Sequence, residues 1–122
     1  MIVVTFDPDK FNFVVAGDDS YFLLRLPDGN RVLFKDRCAH RGSPLHLGCW
    51  DAGTAALVCA SHQTKYPERV LRKQGVPLIY RAGRATAVLD VSPHDEIRFA
   101  RKNILAQPLQ TLSNVKEDSS NG

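Results

Sequence analysis

The sequence predicts an all-β domain, built as an antiparallel β-sandwich or a barrel-like base. Three observations lead there. Short runs rich in β-branched and aromatic residues recur at strand spacing along the chain. Residues suited to turns separate them. No segment sustains the 3.6-residue apolar repeat of an amphipathic helix. The 122 residues fit one domain. A chain of this size buries roughly 65–70% of its extended surface, enough for a real core.

Ile2–Phe6, Phe11–Val15 and Tyr21–Leu26 are the first strand candidates. Pro27-Asp28-Gly29-Asn30 is a turn, because proline presets φ and glycine or asparagine accepts a positive φ. Arg31–Lys35 returns as the second hairpin arm, with Val32 and Phe34 alternating against Arg31, Leu33 and Lys35. Thr54–Val58, Arg69–Leu71, Leu78–Tyr80, Ala85–Val91 and Glu96–Ala100 are further strand candidates. Ser92-Pro93-His94-Asp95 turns the chain into the last of them. Two segments break the rhythm and read as loops, Asp36–Trp50 and Cys59–Pro67. Residues 1–106 are expected to form the domain. Residues 107–122 form a polar C-terminal tail, most polar from Thr111 onward, whose composition predicts disorder.

Composition narrows the function classes. The net charge is +3 and the basic residues are scattered, which gives no footprint for nucleic acid. No run approaches the ~18–20 apolar residues of a membrane span. The start lacks a basic n-region, meets acid at Asp7 and Asp9, and contains no twin-arginine pair, so no secretory signal is read there. The expected compartment is the cytoplasm. Three cysteines, an odd number, argue against a disulfide framework.

The two loops carry the chemistry. The first reads Cys38-Ala39-His40-Arg41-Gly42-Ser43-Pro44-Leu45, with Gly48 beyond it; the second reads Cys59-Ala60-Ser61-His62-Gln63. Together they spell C-x-H-x18-C-x-x-H. This pattern resembles the two binding boxes of the Rieske family, closely over the loops and loosely over the surrounding β pattern. The resemblance implies a β base with two cluster-binding loops at one tip. It also implies one [2Fe–2S] cluster per chain, held by Cys38 and Cys59 on one iron and His40 and His62 on the other. The rival reading is a structural zinc site, since two Cys and two His also suit tetrahedral zinc. Zinc fingers place both cysteines before both histidines, whereas the order here is Cys-His then Cys-His.

Departures from the family pattern refine the reading. Rieske proteins of cytochrome bc complexes carry an extra cysteine in each loop and join them by a disulfide; Ser43 and Ser61 occupy those positions here. The missing bridge makes the chain more similar to soluble ferredoxins of ring-hydroxylating oxygenase systems. Thr64 and Tyr66, however, match the hydroxyl donors of the high-potential branch, where soluble ferredoxins more often have glycine and phenylalanine. They are candidates for tuning the cluster, with Tyr66 read equally well as a plain core aromatic. Pro67–Gly75 lacks the Asp and Thr-Gly turn of the ferredoxin branch, so a short or rearranged hairpin is expected there. Cys49 is expected as a small buried residue or a free thiol. His46 and His94 are expected on the surface, and Trp50 beneath the loop. Arg37, Arg41, Lys65 and Arg69 bracket the ligands against Asp36 and Glu68, as solvated charges or as a docking rim for an acidic partner, with Arg41 and Lys65 the first choices.

The resemblance implies a one-electron carrier, not itself an enzyme, that takes electrons from a reductase and passes them to a terminal oxygenase. A complete oxygenase would also need a mononuclear iron site of two histidines and a carboxylate. Only His94 follows His62, and the remaining 60 residues are too few for that second domain. The alternative is a redox or regulatory small subunit of a reductase complex, similar to that of assimilatory nitrite reductases. Some of those keep the fold without the ligands; retention of all four here favours redox work.

Overall fold

Strand β3, Asp19–Arg25, holds Tyr21, Phe22, Leu23 and Leu24 in one unbroken apolar run, and all four are buried. Such a run belongs to a strand covered on both faces. In the computed structural model, which describes residues 1–39, 42–61 and 63–108, β3 lies at the centre of a five-stranded sheet. Its neighbours are β2 (Phe13–Ala16) and β4 (Arg31–Lys35), with β11 (Ile97–Ala100) and β8 (Val76–Pro77) at the edges. All pairings are antiparallel, and β3 and β4 pair from Tyr21↔Lys35 to Arg25↔Arg31. The Pro27–Asn30 turn between them forms as expected. Gly29 sits at φ +93, and Leu26 and Asn30 close the turn at 2.7 Å.

Each face of this sheet covers its own core. One face packs Val14, Tyr21, Leu23 and Leu33 against Val4 and Phe6 of β1 (Ile2–Phe6) and Ala85, Ala87 and Leu89 of β10 (Arg84–Leu89). β10 also pairs with β9 (Ile79–Arg81), which gives the three-stranded order β1-β10-β9. The other face packs Phe13, Phe22, Leu24, Val32 and Phe34 against Leu45, Leu57, Tyr66, Leu71 and both loop cysteines. Leu33 therefore does not belong with the polar side of β4. It is fully buried, in the second core.

The third sheet is β5-β6-β7, formed by Cys49–Asp51, Ala56–Val58 and Lys65–Pro67. β7 lies inside a segment read from sequence as loop, and β5 begins inside the other and runs one residue past its end. Each is only three residues long, too short to show alternation. The expected strand Thr54–Val58 begins only at Ala56, because Ala55 takes a positive φ of 52° in the preceding turn.

The clearest correction is Arg69–Leu71, which is not a strand. Glu68–Gln74 form a two-turn helix, α1, where a short or rearranged hairpin was expected. Glu68 in the first turn and Arg72 and Lys73 in the last suit the helix dipole, and Glu68 pairs with Arg72 one turn on. Leu71 is its only fully buried side chain. Seven residues with one anchor give no periodic signal. The Gly75 N–H closes the helix on the Leu71 carbonyl at 2.9 Å. A Cβ at Gly75 would come within 2.6 Å of that oxygen.

The chain passes from the domain through Gln107, whose Oε1 accepts the Arg25 N–H at 2.9 Å, to a buried Pro108. The rest of the expected tail, 109–122, lies outside the described residues. Among the described residues, no helix is long and apolar enough to cross a membrane.

Candidate metal centre

Loop 1 leaves the end of β4. Loop 2 connects β6 to β7, whose pairing reaches Val58↔Lys65. The two loops close with the same backbone pattern. The Cys38 N–H donates to the Ser43 carbonyl at 2.8 Å, and the Gly42 N–H donates to the Cys38 carbonyl at 2.8 Å. In loop 2, the Cys59 N–H donates to Thr64 at 2.9 Å, and the Gln63 N–H donates to Cys59 at 3.0 Å. Both fourth residues after the cysteine are left-handed, Gly42 at φ +72 and Gln63 at φ +60. The Ser43 hydroxyl donates to the Ser61 hydroxyl at 2.9 Å, so the loops meet. The positions read as the missing disulfide thus carry a hydrogen bond instead.

Both thiols lie on the apolar floor formed with Phe34, Leu45 and Leu57. Cys38 is 1% exposed and Cys59 0%. Neither is in a disulfide. Two buried thiols on adjacent loops fit the thiolate half of the donor set that a [2Fe–2S] centre with two cysteines and two histidines requires. His40 and His62, read as the other half, lie outside the described residues, as does Arg41. Among the described residues, no three potential ligands gather.

Tyr66 is placed as a donor as well as a core aromatic. Its ring stands edge-on to Phe34, with centroids 6.0 Å apart. Its hydroxyl donates to Cys38 Sγ at 3.5 Å and accepts the Ala39 N–H at 2.9 Å. Burial first, and then the bond to Cys38, hold the phenol above the ordinary tyrosine range, so it keeps its proton at neutral pH. Thr64 is half-buried, and its hydroxyl has no partner among the described residues.

His46 overturns its expected place. It is 8% exposed, its ring packs against Phe13, and its Nδ1–H donates to Asp36 Oδ2 at 2.7 Å. Its backbone N–H donates to Asp36 Oδ1 at 2.8 Å. The available signal was its position between Leu45 and Leu47, in a loop whose opposite end offers a carboxylate. Cys49 is a free thiol, as one of its two expectations had it, and it is exposed rather than buried; Trp50 is partly buried against the core that holds the loop cysteines. Lys65 on the expected rim pairs with Asp51 at 3.4 Å. The Thr54 hydroxyl, the Gly53 N–H and Lys65 hold the Asp51 carboxyl below the usual range. Arg37, Arg69 and His94 are exposed.

No curated protein and no solved structure gives a significant match to the chain. A family model, that of the Rieske [2Fe–2S] domain, matches residues 3–77, more than half of the 122. The match takes in both cysteine loops, β1 from Val3 onward, β2 to β8 and α1. With two buried thiols on loops of matching closure, the chain belongs to the Rieske [2Fe–2S] family, an electron-carrier module with a Rieske-type cluster as its cofactor.

Proposed function

We propose that Cys38, His40, Cys59 and His62 hold the cluster, and that the protein carries single electrons in the cytoplasm from a reductase to a terminal oxygenase. The observation that carries the ligand assignment is the burial of two thiols at equivalent positions of two like-closed loops. The protein supplies position and tuning, and the redox chemistry is the cluster's. The reductase–oxygenase setting rests on the resemblance to soluble ferredoxins, and the compartment is part of the same proposal. An acidic partner would meet Arg41 and Lys65, with Arg37 and Arg69 nearby in sequence.

Protein purified aerobically should be brown, with about two irons and two acid-labile sulfides per chain. Cys38→Ser and His62→Ala should each lose the cluster. A colourless protein with one tightly held zinc would overturn the assignment. Electron transfer from the reductase should slow as salt rises, since exposed charges are screened beyond ~8–10 Å near physiological ionic strength. Salt-independent rates would return Arg41 and Lys65 to ordinary surface.

A second reading is a redox or regulatory small subunit of a reductase complex, and two features loosen the tie to the ferredoxin pattern. These are the Tyr66 hydroxyl on Cys38 and helix α1 in place of a hairpin. Co-purification with a reductase large subunit would select it over the shuttle.

A further inference from the structure

Asp36 and His46 stand at the two ends of the loop that carries Cys38. The Asp36 carboxylate takes both donors of His46, the backbone N–H at 2.8 Å and Nδ1–H at 2.7 Å. The two side chains are only 6% and 11% exposed. The imidazole is held edge-on to Phe13, with centroids 5.3 Å apart, and lies 6.3 Å from Phe22. The His46 carbonyl accepts the N–H groups of Leu105 and Ala106, at 2.9 and 3.3 Å. Ala106 is fully buried in the core that holds the cysteines, and it lies beyond residues 3–77.

We propose that Asp36 and His46 form a latch, seated by Leu105 and Ala106, that fixes Cys38 against the Tyr66 hydroxyl and so sets the cluster's retention and potential. Both are positioning residues, and the proposal rests on the reading of Cys38 as a ligand. Loop 1 runs from the central sheet to the β5-β6-β7 sheet, so among the described residues no strand pair closes it at its base. The carboxylate supplies that closure. Asp36 is two residues from Cys38, and the Tyr66 hydroxyl binds both Cys38 Sγ and the Ala39 N–H. Slack at the loop ends would lengthen the Tyr66–sulfur bond. A histidine that merely filled space would need no donor at Nδ1.

The test uses the cluster-loaded protein with His46→Leu, His46→Asn and His46→Gln. Asn places an amide N–H where Nδ1 stands; Gln carries it one bond farther out, and Leu has none. A buried carboxylate oxygen left without its donor costs enough to change an equilibrium roughly tenfold or more. H46L and H46Q should therefore lose iron to a chelator about tenfold faster than wild type, at a lowered midpoint potential and with altered electron paramagnetic resonance of the reduced cluster. H46N should keep the wild-type potential and spectrum. Should H46L fail to fold, the contrast between H46N and H46Q decides. Equal potentials and release rates in H46N and H46Q would overturn the latch, even where both melt earlier. Failure of the ligand reading would look different: a Cys38→Ser protein that keeps its cluster.

Discussion

The two cysteine loops share their backbone closure and differ in what holds them to the fold. Loop 2 is the connection of a β-hairpin: six residues, Cys59 to Thr64, separate the paired Val58 and Lys65. The strands on either side fix its ends. Loop 1 joins strands of different sheets, and side chains do the same task, with Asp36 bound to His46 and Tyr66 bound to Ala39 and Cys38. The comparison teaches that the local shape needed around a cysteine is written in backbone hydrogen bonds. The support for that shape is written wherever the topology leaves it to be supplied.

The largest expected effect comes from the point where the two loops' supports touch. Gly48 ends the short 3-10 turn after loop 1, and a Cβ there would lie 2.3 Å from the Val58 carbonyl, at the base of loop 2. Its φ of −76° is ordinary, so the demand for glycine is purely steric. Both elements are backbone, and neither can yield cheaply. Gly48→Ala should destabilise by about 3 kcal/mol. Urea unfolding would show it as a lower midpoint at unchanged slope.

The left-handed residues sharpen the comparison further. At Gly42, the nearest atom to an added Cβ is Arg37 Nε at 3.5 Å, so space is available and only φ objects. Gly42→Ala should cost about 1–2 kcal/mol. At the equivalent place in loop 2, Gln63 already bears that strain. Gln63→Gly relieves it but adds freedom to the unfolded chain, for a net gain between zero and about 1 kcal/mol. Opposite signs at equivalent positions are the expected outcome. A loss at both would mean that the Gln63 side chain is itself a support of loop 2.

Much of this was legible in the sequence, for physical reasons that also mark the limits. The C-x-H and C-x-x-H spacings are local, and they single out the two loops whose cysteines the structure buries. Ile2–Phe6 declares itself as a strand, and so does Ala85–Val91, although the strand there, Arg84–Leu89, starts one residue earlier and stops two residues sooner. What escaped were features with short or distant causes. Helix α1 has two turns and one buried anchor. β5 and β7 have three residues each. Leu33 sits opposite Leu23 in a sheet with apolar material on both sides, so its strand never alternates in the simple sense. His46 depends on Asp36, ten positions earlier, and on amides some sixty residues later, and no local pattern joins them.

Tyr66→Phe tests the side-chain support of loop 1 at the cluster itself. A hydroxyl that donates to Cys38 Sγ stabilises the more negative, reduced state, so its removal should lower the midpoint potential. For one electron, about 59 mV is a tenfold change, and a single long bond to sulfur should supply some tens of millivolts. Voltammetry at neutral pH is the measurement. An unchanged potential would leave Tyr66 as packing against Phe34, and stability alone would then move.

The smallest effect should come from a hydroxyl-to-hydroxyl tie between the loops. Ser43 and Ser61 are joined by a single neutral hydrogen bond of 2.9 Å, with Ser61 exposed and Ser43 half-buried. Water competes for both hydroxyls, so the net worth of such a bond falls toward the low end of the range, about 0.5 kcal/mol. Each single alanine variant removes it, and the double variant removes it only once. In a double-mutant cycle, Ser43→Ala and Ser61→Ala should therefore couple by about that amount rather than add. The same variants should leave the cluster in place, because each loop retains its own backbone closure through residues 38, 42 and 43 or 59, 63 and 64. Coupling indistinguishable from zero would mean that the loops are held in register by their separate anchors, the β6-β7 hairpin on one side and Asp36 with His46 on the other. Coupling well above ~1 kcal/mol would mean that the hydroxyl pair substitutes energetically for a covalent bridge, and that neither loop is as self-sufficient as its hydrogen bonds imply.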